Sequence, residues 1–347
     1  MKVVLIEPSH WHFPLYRDAI KKLKLDVIGV SDKSVEKGKK IADQFGCAFF
    51  ENFHQLVKQK DFDFAFAFGR HVDMPAIGES LIKKGTPFAM EKPCGTKLED
   101  VKKLRLLAEK QNQFVAIPFI FRCSDLYEEI RKYERTIPSD FKHMCFRFIA
   151  GSPTRYEEAQ CHWMLDRRIA GGGCTINLAV HFVDFFLLMT GGNIKTVYAQ
   201  MSCQTHHKDI EDYSLIVLTT DQGAVGVVET GYTFLKRPGE QREACFSFRS
   251  GKNYYRISQE AARVISSVEG VPEGHDLRAS IETDDFYPVF VERTIDDFRK
   301  SRKPLAGLRD MERVMNIIDA AYASAVRGLP ISLGEGDVTF VRNESSG

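Results

Sequence analysis

The densest chemistry in this chain runs Trp163-Met-Leu-Asp-Arg-Arg-Ile-Ala-Gly171-Gly-Gly-Cys-Thr-Ile-Asn177-Leu-Ala-Val-His181-Phe-Val-Asp184. Three glycines followed by an apolar helix make a helix N-terminus that a ligand can approach closely. On an α-helix, Asn177, His181 and Asp184 fall at i, i+4 and i+7 and share one face. Polar groups on so apolar a helix need partners, because each one buried unpaired costs about 1–3 kcal/mol. A lone histidine there would read as a satisfied core residue. Three aligned polar groups after Gly-Gly-Gly point to an active site. Arg167 and Arg168, just upstream, could meet a substrate carboxylate or a phosphate, or could be ordinary solvated arginines.

Two other places carry chemistry. Glu91-Lys92-Pro93 follows the apolar run Pro87–Met90. A lysine held at a strand end can polarise a hydroxyl or carbonyl, or shuttle a proton; an isolated triplet of this kind is equally a solvated Lys–Glu pair. Glu7-Pro-Ser-His-Trp-His12 follows the first apolar run, where a dinucleotide turn would carry G-x-G-x-x-G. Glu7, Ser9 and His12 stand at the glycine positions; a carboxylate repels phosphate, and Pro8 removes a backbone donor. The N–H groups of Ser9 and His10 remain as phosphate donors, with Trp11 and His12 completing the turn. Asp32, with Lys33 after it, stands where an acidic residue about 20 residues further on would take a ribose hydroxyl. It is also a helix-capping type, with Ser34 competing for that role. His10, His12 and His71 with His162 or His181 invite a zinc reading, but no close Cys/His pair completes one, and we expect no metal.

These residues need elements to position them. Apolar runs at 3–6, 27–31, 48–50, 62–68, 87–90 and 114–117 alternate with helical stretches at 13–23, 35–45, 52–58, 73–84 and 98–110. That rhythm predicts an α/β doubly wound parallel sheet, whose ligands sit at the carboxyl ends of the strands. After a helix near 125–133 the rhythm changes to β runs at 143–150, 197–205, 213–220, 224–234, 243–249 and 253–258. A glycine-led helix at 174–189 interrupts them, and helices near 286–300 and 308–327 close the chain. This is α/β followed by α+β with an open mixed or antiparallel sheet. The expected organisation is a first domain over 1–120, a second over 121–333 and a tail over 334–347.

A chain of 347 residues with 48 Lys+Arg against 47 Asp+Glu has no global field for nucleic acid or an anionic membrane. No segment approaches 18 uninterrupted apolar residues, and the first apolar run stops at Glu7, too short for a signal-peptide core. Eight scattered cysteines without a CxxC pair read as reduced thiols in a cytoplasmic protein. The 26 phenylalanines read as core and oligomer interface.

Glu91-Lys92-Pro93 after an α/β half, then W-x-x-D-x-x-x-A-G-G-G, then His181 and Asp184 on the next helix, resembles the glucose–fructose oxidoreductase / inositol dehydrogenase / MocA family. Leu305-Ala-Gly-Leu-Arg-Asp-Met and Ile318–Gly328 agree with that family's final helix. The resemblance covers Met1 to about Leu333 and implies an N-terminal Rossmann domain binding NAD or NADP, with Asp32 favouring NAD. It also implies a C-terminal domain whose open sheet serves substrate binding and a homodimer or homotetramer. It assigns Lys92 to cofactor and substrate contact, His181 to acid/base catalysis and Asn177 to a position that is usually Asp. Glu91, Trp163 and Arg168 fall among the implied ligand contacts. The implied reaction is hydride transfer between nicotinamide and a carbinol of a sugar, sugar derivative or cyclitol, with His181 moving the hydroxyl proton and Lys92 lowering its pKa. The alternative is a catalytically silent relative that binds a sugar or nucleotide as a sensor, motivated by Glu7 and Asn177.

Overall fold

The structure is a computed structural model that describes residues 1–236, 240–268 and 271–334; the expected tail, apart from Gly334, lies outside the described residues. The chain divides into two compact units. The first comprises Met1–Ser124, Thr154–Gly172 and Glu282–Arg313, and the second Asp125–Pro153, Gly173–Ile281 and the stretch from Val314 onward. The opening stretch of the first unit thus ends near the boundary expected at 120, and the chain later returns to that unit twice.

The first unit alternates β1 (Lys2–Ile6), α1 (Phe13–Lys22), β2 (Asp26–Ser31), α2 (Val35–Phe45), β3 (Ala48–Phe50), α3 (Phe53–Gln59), β4 (Phe64–Ala67), α4 (Met74–Lys84), β5 (Phe88–Met90), α5 (Leu98–Lys110) and β6 (Val115–Ala116). The strands pair in parallel in the order β3-β2-β1-β4-β5-β6. Val3 to Ile6 and Phe64 to Phe66 have no exposed surface, because helices cover both faces of a parallel sheet and its central strands must be apolar throughout. Strand order reverses between β1 and β4, which opens the crevice where such sheets bind ligands. Glu7, Asp32, the segment Phe68–His71 and the pair Glu91–Lys92 all follow strand ends there. The returning segments are tied in locally. Ile117 N donates to Ala306 O at 3.1 Å, and Arg122 reaches Leu305 O at 2.7 Å and Asp310 at 2.8 Å.

The second unit holds β7 (His143–Gly151), β8 (Ile194–Ser202), β9 (Tyr213–Thr220), β10 (Val225–Phe234), β11 (Arg242–Arg249), β12 (Asn253–Ser258), β13 (Ala262–Val268), β14 (Val271–Asp276) and β15 (Ile331–Ser332). The sheet order is β14-β13-β12-β11-β7-β10-β9-β8-β15, with β7 and β10 parallel and the other pairs antiparallel, so the sheet is mixed. Burial alternates along β9, as it must when one face meets the core. That face takes the helix Val180–Thr190, ten of whose eleven residues are buried. Phe182 lies 5.4 Å from Phe146 and 5.5 Å from Phe246 between ring centroids. Each such buried ring contributes roughly 1.5–3 kcal/mol. These phenylalanines belong to the core, as expected for part of the phenylalanine richness. By length and composition Arg167–Thr190 could cross a membrane, but 94% of its most apolar window is buried within the protein.

Three sequence expectations shift. The β run placed at 197–205 occupies Ile194–Ser202. Strands β13 and β14, beyond the last β run expected at 253–258, extend the sheet. The glycine-led helix opens with a π turn, Thr175–Ala179, before the α-helix begins at Val180. A π turn closes i→i+5 rather than i→i+4, so the single-face spacing holds for His181 and Asp184 but not for Asn177.

Candidate active site

The β1–α1 turn is built without glycine, yet Glu7 adopts φ 57°, the left-handed conformation a glycine would supply. Its N–H donates to Ser31 O at 2.7 Å, so the chain leaves β1 along a glycine-like course. The donors of the turn are then consumed within it. Ser9 N donates to Asp32 Oδ2 at 2.7 Å, and His10 N to Glu7 O at 3.3 Å. Trp11 N meets the Cys161 sulfur, His12 N donates to His10 Nδ1 at 3.1 Å, and Phe13 N to His10 O at 3.0 Å. The Ser9 and His10 N–H groups expected to face a phosphate are thus turned inward, Ser9 N onto the Asp32 carboxylate and His10 N onto the backbone carbonyl of Glu7. Among the described residues, the buried indole Nε1 of Trp11 has no hydrogen-bond partner.

Asp32 closes β2 as expected and is wholly buried. Besides Ser9 N it accepts Ser34 N on Oδ1 at 2.7 Å, which fixes the entry to α2. Burial raises its pKa, against the opposing pull of those two bonds. Glu7 reaches over to the same place, its Oε2 accepting Lys33 N at 3.1 Å. Burial first, and the neighbouring Asp32 charge second, push the Glu7 carboxyl up to about 7. Lys33 Nζ and Arg70 Nε both lie on Asp73 Oδ2, at 2.7 and 2.6 Å.

Deeper in the first unit, Glu91 and Lys92 are each 2% exposed. Tyr16 donates its hydroxyl to Glu91 Oε1 at 2.5 Å, and His12 Nδ1 lies 3.1 Å from Glu91 Oε2. Tyr287 completes the group, its hydroxyl 3.4 Å from His12 Nε2. Burial draws the Lys92 ammonium down to about 8, with Arg155 adding to the fall and Glu91 opposing it. Burial likewise holds His10 and His12 well below the ordinary imidazole value and His71 at about 4, so all three are neutral at pH 7. His71 Nδ1 lies 2.7 Å from Ala170 O, and the Trp163 ring packs against His71 at 5.0 Å and His10 at 5.5 Å. Among the described residues no group of three or more His, Cys, Asp or Glu side chains is arranged to hold a metal. The Arg168 guanidinium is exposed and pairs with Asp166 at 3.0 Å.

In the second unit the glycine run has a definite cause. Gly171, still in the first unit, takes φ 82° where the short helix Arg167–Ala170 ends. At Gly173 a Cβ would stand 2.1 Å from the Glu211 carbonyl oxygen, so only glycine lets these backbones meet. Glu211 Oε1 then accepts Gly173 N at 2.8 Å, Thr175 N at 3.0 Å and the Tyr322 hydroxyl at 2.7 Å. A carboxylate at a helix N-terminus satisfies its open donors and complements its dipole. Asn177 donates Nδ2 to the Tyr232 hydroxyl at 2.9 Å. His181 is 7% exposed and Asp184 1%.

The structure therefore brings Ser9, His10, Trp11, His12, Asp32, Lys33, Glu91, Lys92 and Trp163 into one unit, while Asn177 and His181 belong to the other. Tyr16, Tyr287 and Glu211 were not singled out from sequence. Tyr287 lies 275 residues from His12, and no local pattern announces such a meeting.

The family profile described as "Oxidoreductase family, NAD-binding Rossmann fold" matches residues 7–119, and the profile of the GFO/IDH/MocA C-terminal domain matches residues 142–246. This chain belongs to the GFO/IDH/MocA family of NAD-binding oxidoreductases. No curated protein matches it in sequence. Among solved structures, an oxidoreductase from Agrobacterium radiobacter in complex with NAD+, L-tartaric acid and magnesium superimposes with a TM-score of 0.81 at 18% identity, covering 96% of this chain and 98% of that one. Levoglucosan dehydrogenase with NADH and levoglucosan gives 0.82 at 15% identity, covering 96% and 99%. A probable dehydrogenase from Thermotoga maritima gives 0.77 at 14%, covering 96% and 98%. At these identities the superpositions establish the fold.

The residues of the first unit fit the family's dinucleotide. Carboxylates stand at the end of β2, where a ribose is bound, and the buried indole N–H of Trp11 in the first turn is a donor with no protein acceptor among the described residues.

Proposed function

We propose that this protein is an NAD-dependent dehydrogenase or reductase acting on the carbinol or carbonyl of a sugar, sugar derivative or cyclitol. The observation that carries this reading is Lys92: an ammonium at the end of β5, 2% exposed, whose pKa burial has brought to about 8. A buried lysine so tuned suits polarising a substrate oxygen near neutral pH. NAD, when bound, supplies the hydride acceptor or donor. Lys92 holds the substrate oxygen and favours its ionised form, and the family resemblance gives the proton transfer to His181. Asn177, tied to Tyr232, offers hydrogen bonding without the charge a carboxylate would bring. The ligands described for two relatives, levoglucosan and L-tartaric acid, are polyhydroxylated, which supports the substrate class.

The test is titration of the purified protein with NADH and NADPH, followed by a panel of sugars and cyclitols assayed for NAD reduction. Micromolar NADH binding with turnover of at least one polyol, lost in Lys92→Met, supports the reading. NADH binding with no turnover across the panel counts against a polyol substrate. No binding up to millimolar concentration counts against the cofactor assignment itself.

A further inference from the structure

We propose that Glu7, rather than Asp32, is the carboxylate that accepts the ribose hydroxyls of the nucleotide at the end of β2, and that it makes the site select NAD over NADP. The proposal rests on the first unit binding a dinucleotide and names the residue that reads it. Asp32 has the expected position but no exposed surface through which a ribose could reach it. It is 0% exposed, and its two oxygens are held by Ser9 N and Ser34 N, each at 2.7 Å. Its role in this chain is to tie the β1–α1 turn to the start of α2.

Glu7 comes from the other side of the same strand end. Its Oε2 accepts Lys33 N at 3.1 Å, which places the carboxylate at the residue following Asp32, 26 positions away in sequence. A carboxylate has about four acceptor sites, so this bond leaves capacity for hydroxyl donors. Glu7 keeps 6% of its surface where Asp32 keeps none. The backbone supports the assignment. Glu7 sits at φ 57°, a conformation that disfavours a side chain, and strain of this sort persists where function uses it. Gly69 lies alongside, and a Cβ there would stand 3.9 Å from Glu7 Cγ.

The charges around Glu7 favour a hydroxyl over a phosphate. Asp32 and Asp73 add negative charge. Two cations that act on Glu7, Lys33 and Arg70, are both held on Asp73 Oδ2. A 2′-phosphate brought here would meet carboxylates whose counter-ions are engaged. With its carboxyl pushed up to about 7, Glu7 is ionised at pH 8.5.

The experiment is direct binding of NADH and of NADPH to the full chain at pH 8.5, by nicotinamide fluorescence and calorimetry, in wild type, Glu7→Gln and Glu7→Gly. Glu7→Gly relaxes the backbone at this φ and so serves as the variant whose fold is safe. The quantity read is the ratio of the two affinities, which cancels any change in pyrophosphate binding that a glycine brings. Wild type is expected to prefer NADH, and both variants to lose roughly tenfold to a hundredfold of that preference, the worth of a hydrogen bond to a charged group. A ratio unchanged in folded Glu7→Gly overturns the proposal while leaving dinucleotide binding intact. Failure of wild type to bind either nucleotide overturns both.

Discussion

Ser9 gives its backbone N–H to Asp32 Oδ2 at 2.7 Å, so the donor best placed to greet a phosphate is spent on the protein itself. Asp32 thereby becomes a structural tie, holding Ser34 N with its other oxygen. Asp32→Asn keeps the shape but offers one acceptor atom to two donors. One N–H is left facing an amide nitrogen in a wholly buried place. The expected loss is about 1–3 kcal/mol of unfolding free energy, read from urea denaturation with an unchanged m-value. A midpoint equal to wild type would show that these bonds do not hold the turn.

Glu7 makes stability depend on pH in an identifiable window. Its folded pKa, about 7, lies above the ordinary 4.5, so the folded state binds more protons than the unfolded state between those values. Stability from this group is therefore fully present below pH 4.5 and is lost as pH rises through 7. The loss is on the order of 3 kcal/mol once ionisation is complete. Thermal unfolding between pH 5 and 8 should show wild type losing ground that Glu7→Gln keeps. Parallel curves for the two proteins would remove Glu7 as the source.

Lys92 has the opposite sign. Its folded pKa, about 8, lies below the ordinary 10.5, so the folded state holds fewer protons across that window and gains stability as pH rises through it. At pH 7 the buried ammonium is a cost, and Lys92→Met should raise the unfolding midpoint while abolishing turnover. The charged form is the one that polarises an oxygen. The Lys92 limb of the wild-type rate profile, as kcat/KM, should fall as pH rises through about 8. A limb rising through pH 8 would make Lys92 a base instead.

The contact between Gly173 and Glu211 sets where the functional helix begins. A Cβ at Gly173 would stand 2.1 Å from a backbone oxygen, which cannot rotate away as a side chain would. Gly173→Ala should cost about 1–3 kcal/mol, the usual price of overpacking. Glu211→Gln retains an acceptor for Gly173 N and Thr175 N and should cost less than Glu211→Ala, which leaves both without that partner. Denaturation midpoints ranking the two Glu211 variants equally would mean the carboxylate does not cap the helix.

How much of this was readable beforehand follows from the range of the interactions. The parallel sheet was legible because strands buried on both faces, such as Val3–Ile6 and Phe64–Ala67, must be continuous apolar runs. Lys92, Glu91 and Asp32 could be placed at strand ends for the same reason. The π turn at Thr175–Ala179 was not legible: three glycines announce close approach without naming Glu211, 38 residues away from Gly173, as its partner. Strand β14 carries Pro272 and Gly274, which obscure a strand signal. The closure of Asp32 was hidden because residue type indicates a carboxylate's position but not which N–H groups will occupy it.

His181 offers the sharpest separation of chemistry from folding. It is 7% exposed on a helix whose other residues form the phenylalanine core, and that core does not depend on an imidazole. His181→Ala should leave the unfolding transition within about 1–2 kcal/mol of wild type, the ordinary range for a single substitution. Turnover of whichever polyol the panel identifies should fall by about 10²–10⁴, the contribution of a positioned acid or base. NADH affinity measured alongside is the control, since the residues proposed for the nucleotide belong to the first unit. Added imidazole should restore part of the lost rate if the defect is a missing proton carrier, with the rescued rate rising with free-base concentration. A variant that turns over normally would take His181 out of the reaction, and one that loses turnover without any response to imidazole would leave it a substrate contact.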